Sequence, residues 1–312
     1  MRVAHFLGSA VLLGLSIAVA AQAPPAPQRA VLVTGASTGI GRKVTERLAA
    51  DGWFVYATAR KDADLKALGA LKNVQAIRLD VTRPEDIAAA VEVVTKAGRG
   101  LYGLVNNAGI ATAGTLAAMS MDEFDLVMKV NAYGPVRMIK AFEPLILAAR
   151  GRIVNIGSIS GILASPNLAA YAMSKHAIEG LTDSLAAQLA DSGVQVSVVE
   201  PGNYNSEITR NFIGRVGADS PALGSTGYKV DADRTKYKEP DEVADAVAHA
   251  LDDPKPKRRY MVVPNQQEAD LTIGKQIRQL VELNEGQPYT YDQAGLDKLV
   301  NDALAGSLPR TK

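Results

Sequence analysis

The sequence predicts an α/β fold, a doubly wound parallel sheet, from three observations. Short runs rich in Val, Ile and Leu alternate with longer amphipathic stretches from Ala30 onward. A glycine-rich turn joins the first run to the first amphipathic stretch, as in a nucleotide-binding strand-turn-helix unit. The 312 residues are 47% hydrophobic and 21% charged, which is enough apolar material for one large core.

Strands are expected at Ala30-Val33, Trp53-Thr58, Val74-Arg78, Gly103-Asn106, Gly151-Ile156, Gln195-Glu200 and Tyr260-Val263. Helical patterns fill the gaps between them, for example Gly41-Asp51, Pro84-Ala97, Met121-Ala149, Tyr171-Asp191 and Pro240-Leu251. Alternation on this scale makes right-handed βαβ crossovers, so the strands run parallel with helices on both faces. The polar, Gly-containing stretch from Gly202 to Glu239 breaks the rhythm beyond a strand end and reads as a lid over a substrate pocket or a loop. Residues 266–312 carry apolar positions near helical spacing, Leu271, Ile277, Leu280, Leu296, Leu299 and Val300 among them, and read as a C-terminal helical extension.

Residues 1–23 stand apart. Arg2 precedes a charge-free apolar stretch, and Ala21-Gln22-Ala23 fits the small-x-small site of a cleaved secretory signal. The alternative is an uncleaved membrane anchor through residues 3–21, about the length that spans a bilayer. Residues 24–29 form a Pro-rich linker, and the Rossmann-like α/β domain occupies 30–265. A signal places the protein in a periplasmic, lumenal or secreted compartment, whereas an anchor leaves it membrane-attached, with the catalytic domain facing the cytoplasm in one orientation.

Composition excludes several chemistries. There is no cysteine, so disulfides, thiolate nucleophiles and cysteine-ligated metals are ruled out, and His5, His176 and His249 are too few and scattered for a histidine metal site. A formal net charge of +1 gives no electrostatic reason to expect nucleic acid as a partner. The chemistry falls to hydroxyls, amines, carboxylates or a cofactor, acting on a small molecule.

The turn after the first strand reads Thr34-Gly35-Ala36-Ser37-Thr38-Gly39-Ile40-Gly41. Its glycines let the backbone bend sharply and approach a pyrophosphate, whose charge the free N–H groups and dipole of the following helix stabilise. Further on, Tyr171 and Lys175 stand four apart at a helix start and so share one face. A tyrosine is a poor base at neutral pH, but an adjacent ammonium favours its phenolate. Ser158 can donate a hydrogen bond to a substrate oxygen as charge develops there. His176 points off that face and reads as a packing or interface residue.

These residues together resemble the short-chain dehydrogenase/reductase family, with its Thr-Gly-x-x-x-Gly-x-Gly loop, the Asn106-Asn107-Ala108-Gly109 element, Asn131 in the long helix, Ser158, Tyr171-x-x-x-Lys175 and Pro201-Gly202. The resemblance spans residues 30 to about 265. It implies a Rossmann-like fold, an acid/base role for Tyr171 tuned by Lys175, a substrate-oxygen contact from Ser158, and a water held by Asn131 that links the lysine to solvent. It implies cofactor contacts from Gly35, Ser37, Thr38, Gly39, Ile40, Gly41, Asp80, Val81, Asn107, Ala108, Gly109, Tyr171, Lys175, Pro201, Gly202 and Ser206. A homodimer or homotetramer built through the helices around Asn131 and Tyr171 is also implied.

Cofactor choice is read at the end of the second strand. NAD-binding members place an acidic residue where Ala59 stands here, and Arg60 follows, a natural partner for a 2′-phosphate, with Arg42 or Lys61 able to add charge. NADP(H) is therefore expected over NAD(H). Departures from the common pattern are Gly157 in place of a second serine, Tyr204 in place of a valine, and Ser206 in place of a threonine. The expected reaction is hydride transfer between NADP(H) and a carbonyl/alcohol pair. A dinucleotide-binding sensor without turnover and a sugar-nucleotide epimerase or dehydratase are the alternatives, separated from it by net consumption of NADPH.

Overall fold

The computed structural model describes residues 28–308 except 228, 229, 231 and 232, so residues 1–27, where the signal or anchor was expected, lie outside the described residues. Seven parallel strands form one sheet: β1 (Ala30–Val33), β2 (Phe54–Ala59), β3 (Val74–Arg78), β4 (Gly103–Asn106), β5 (Arg152–Ile156), β6 (Gln195–Pro201) and β7 (Arg259–Val262). Their order across the sheet is β3-β2-β1-β4-β5-β6-β7. The chain order reverses between β1 and β4, which opens a crevice beyond the strands' carboxyl ends.

The described residues form eleven α-helices: α1 (Gly39–Ala50), α2 (Asp62–Gly69), α3 (Pro84–Lys96), α4 (Met121–Asn131), α5 (Tyr133–Ala149), α6 (Ala169–Gln188), α7 (Ile208–Val216), α8 (Pro221–Gly224), α9 (Asp241–Asp252), α10 (Gln266–Asn284) and α11 (Gln293–Leu304). Successive strand residues feed opposite faces. Val31 and Val33 pack with Val44 and Leu48 of α1 and Val243 and Val247 of α9. Ala30 and Leu32 pack on the other side with Ile87 of α3, Phe142 of α5 and Leu185 of α6. Helices cover both faces, so the central strands β1 and β2 are mostly apolar rather than alternating, while β5 and β6 bury Arg152, Asn155, Ser197 and Glu200 among their apolar residues.

The structure adds detail to the sequence expectation and departs from it in the long helix. The helix expected over Met121-Ala149 is two helices, α4 and α5, because Pro135 has no N–H to give the Asn131 carbonyl four residues back. Gly134 lies against Val81, which brings the start of α5 onto the sheet end. A short α2 fills the gap between β2 and β3, with Asp62 and Asp64 in its first turn and Leu68 buried. The stretch after Gly202 is not featureless, since it contains α7 and α8, and Phe212 is fully buried. Among the described residues no helix is long and apolar enough to cross a membrane.

Candidate active site

Thr34, buried at the end of β1, ties the glycine turn to β4. Its hydroxyl accepts hydrogen bonds from the backbone N–H groups of Asn107 and Ala108, both at 2.9 Å, while the Asn107 Nδ2 donates back to the carbonyls of Thr34 (2.8 Å) and Gly35 (3.0 Å). Gly39 adopts φ +55°, and a Cβ at Gly41 would run into Asn107 Nδ2 and the Gly35 carbonyl, so these two positions need glycine. Thr38 precedes α1 in an extended conformation and makes no side-chain cap. The first N–H groups of α1 therefore face the crevice without a protein acceptor, the arrangement that binds phosphate.

A cleft of about 790 Å³ runs along the sheet's carboxyl edge, within the roughly 300–1,000 Å³ usual for cofactor and small-molecule sites. Its wall includes Ser37, Thr38 and Ile40 of the turn, Arg60, Asp80 and Val81 at one end, and Ser158, Tyr171 and Lys175 at the other. Gly35, Gly39, Gly41, Asn107, Ala108, Gly109, Pro201, Gly202 and Ser206 line it as well. The residues expected from sequence to touch the cofactor are thus brought to one continuous surface.

At the first end, Ala59 is buried and offers no carboxylate. The Arg60 side chain is 67% exposed, with Nη1 3.6 Å from Asp80 Oδ2. Burial works against the Asp80 charge, yet hydrogen bonds from Thr82 and the charge of Arg60 hold its carboxyl below the usual range. Arg42 is committed to Glu46 of its own helix at 2.5 Å, and neither Arg42 nor Lys61 reaches the cleft wall. Arg60 is the cation at this end.

At the other end, Lys175 is buried and its Nζ donates to the Ile156 carbonyl at 2.8 Å, 5.7 Å from the centre of the Tyr171 ring. Burial brings the lysine down to about 8, opposed by the charge of Glu179 one turn later. Burial pushes the Tyr171 hydroxyl up, whereas its hydrogen bond with Ser158 and the charge of Arg234 pull it the other way. In the protein alone burial outweighs both, and the hydroxyl stands above its ordinary value. Ser158 Oγ also accepts from Ser160 N at 3.0 Å, which fixes its direction.

Asn131 lies behind the cleft wall, 2% exposed. Its side chain clamps the segment after β4, accepting from Ile110 N (2.8 Å) and donating to Ile110 O (2.9 Å) and Ser174 Oγ (3.0 Å). What remains for a ligand or water is its backbone carbonyl, freed by Pro135. His176 turns its Nδ1 to the Ala172 carbonyl at 2.9 Å, away from the site.

The turn after β6 is held from three sides. The Tyr204 hydroxyl donates to Glu242 of α9 at 2.7 Å, and Glu268 of α10 accepts from Asn203 N at 2.9 Å. Arg234 reaches over the turn to the Tyr204 carbonyl at 3.3 Å. Sequence reasoning missed Arg234, Glu268 and Phe212 as cleft residues. The Asn265-x-x-Glu268 cap that starts α10 was a readable signal, but nothing local indicates that the same glutamate turns back to Asn203.

The sequence profile of the short chain dehydrogenase family matches residues 29–215. Mouse mitochondrial D-beta-hydroxybutyrate dehydrogenase is 39% identical over 195 residues, covering 59% of this chain and 57% of that enzyme. A short-chain dehydrogenase structure from Streptomyces avermitilis superposes with a TM-score of 0.70 at 29% identity, covering 84% of this chain and 97% of its own. Actinorhodin polyketide ketoreductase, solved with NADPH, superposes with a TM-score of 0.66 at 26% identity, over 76% of this chain and 95% of its own. On its sequence match, its sheet order and the grouping of its motifs around one cleft, the chain belongs to the short-chain dehydrogenase/reductase family.

Proposed function

We propose that the protein is an NADP(H)-dependent oxidoreductase that interconverts a carbonyl and an alcohol. The observation that carries the reading is the cleft itself, which joins Arg60, with no carboxylate at Ala59, to Ser158, Tyr171 and Lys175 across the open start of α1. The free N–H groups of α1 and the glycine turn fit a pyrophosphate, and Arg60 fits a 2′-phosphate. The ketoreductase that the fold resembles was solved with NADPH, which supports the same choice. When bound, the nicotinamide supplies or takes up the hydride.

The chain's own residues handle the proton and the oxygen. Ser158 orients the substrate oxygen by hydrogen bonding and stabilises charge on it. Tyr171 gives a proton to that oxygen during reduction and removes it during oxidation. Lys175, held on the Ile156 carbonyl, keeps a cation beside the tyrosine ring and favours its ionised form. The Asn131 carbonyl holds the water that returns protons from solvent to the lysine.

The cofactor assignment is tested by following the 340 nm absorbance with NADPH and NADH on a panel of ketones, aldehydes and quinones. The expected result is a preference for NADPH that Arg60→Ala reduces by about 10–100-fold through KM, one charge-assisted contact's worth. Equal use of both cofactors by the parent protein would refute it.

A further inference from the structure

The segment between α8 and α9 places Arg234 in the cleft wall. Its guanidinium lies over the Tyr237 ring, 3.8 Å from the centroid, which fixes its plane. Nη2 donates to two neutral oxygens, Asn203 Oδ1 at 3.5 Å and the Tyr204 carbonyl at 3.3 Å, while the buried Nε has no hydrogen-bond partner. Among the described residues no carboxylate pairs with it. The three acidic side chains in the same wall are engaged elsewhere, Asp80 with Thr82 and Arg60, Glu207 with Arg210 at 2.7 Å and Glu268 with Asn203 N.

A half-buried guanidinium with an unmet donor is costly unless an anion completes it, and its planar fork matches a carboxylate. The cofactor phosphates have their own place at the start of α1 and at Arg60. Arg234 is instead bonded to Asn203 and the Tyr204 carbonyl on the turn after β6, in the same cleft wall as Ser158 and Tyr171, which sets it at the reacting end of the cleft, where its charge pulls the Tyr171 hydroxyl down. Leu163, Leu168, Ile208, Phe212 and Leu271 add apolar wall to the cleft.

We propose that Arg234 anchors a carboxylate on the substrate, so that the carbonyl/alcohol pair is an oxo acid and its hydroxy acid with an apolar chain. This rests on the oxidoreductase reading above. In the reducing direction the carbonyl carbon gains the hydride from NADPH, its oxygen gains the proton from Tyr171, and the carboxylate stays on Arg234 unchanged.

The test compares 3-oxo and 4-oxo acids of increasing chain length with their methyl esters, using the full chain and its Arg234→Gln and Arg234→Lys variants. The parent is expected to favour acids over esters by about tenfold or more in kcat/KM. Arg234→Gln should lose about 30–100-fold on the acids, mostly through KM, and only a few-fold on the esters, with Arg234→Lys recovering part of the loss. Equal losses on acid and ester, or a comparable rise in the KM for NADPH, would overturn the proposal, the second result assigning Arg234 to the cofactor. A second readout needs no turnover, namely the rise in Tm that a hydroxy acid gives the NADP⁺-loaded protein. A rise absent for the methyl ester and lost in Arg234→Gln supports the anchor even if no ketone is reduced, whereas equal rises for acid and ester refute it. Reduction of neutral ketones alone would keep the oxidoreductase reading and reject the oxo acid.

Discussion

Lys175 is a residue whose burial and charge are in conflict. Brought down to about 8 by burial, it binds its proton less tightly in the folded chain than in the unfolded one. Such a group destabilises the fold at neutral pH, and that cost is relieved as pH rises from about 8 towards the unfolded lysine value. Lys175→Met should therefore be more stable than the parent at pH 7 by about 1–3 kcal/mol, and the gain should shrink above pH 8. Denaturant melts of the ligand-free proteins at pH 7 and pH 9.5 check this, and a less stable variant at pH 7 would show that the lysine is structural. Tyr171 and Lys175 were legible in the sequence because a spacing of four puts them on one helix face, and Ser158 because it matches the family's serine. Arg234 and Glu268 were not, because their meaning depends on Tyr171 and Asn203, residues more than sixty and sixty-four positions away in the chain.

At the scale of elements, the cofactor turn depends on a side chain outside its glycines. Thr34 satisfies two backbone N–H groups of the segment after β4 with one hydroxyl. Thr34→Val leaves both buried donors unmet, and should lower stability by about 2–4 kcal/mol and weaken NADPH binding, while Thr34→Ser keeps the hydroxyl and stays near the parent. Thermal melts and fluorescence titration of NADPH read both effects, and a Val variant equal to Ser would contradict the clamp. The strands were readable because burial on both faces makes most of them short runs rich in Val, Ile and Leu bounded by turns. The break between α4 and α5 was not read, although Pro135 stood in view, because helical periodicity continues across it. The α7–α8 segment was read only as a lid or loop, since polar residues outnumber its few anchors. Its packing comes from distant contacts, including Arg215 on Glu123 at 2.6 Å and Asn167 on the Thr226 carbonyl at 2.8 Å.

At the scale of the molecule, the reversal of strand order fixes where chemistry can occur, and the extension after β7 closes one side of it through Glu268 and Leu271. The helices flanking the site carry exposed apolar side chains, Tyr133 and Val136 on α5 and Met173 on α6, together with Leu147 at the far end of α5. That surface suits a second copy of the chain, as the family resemblance implies. Light scattering should give at least twice the chain mass, and Val136→Glu should shift the population towards monomer. A monomeric parent at micromolar concentration would remove this surface from the account.

We propose that Tyr171 transfers the proton in a cleft that takes NADP(H). Single-turnover oxidation of bound NADPH, measured by stopped flow on the parent and Tyr171→Phe with the best ketone of the panel, tests it most directly. The variant is expected to keep NADPH affinity within a few-fold of the parent and to turn over more slowly by about 10²–10⁴, the usual contribution of a positioned acid. A Tyr171→Phe protein that oxidises NADPH within tenfold of the parent rate would contradict it.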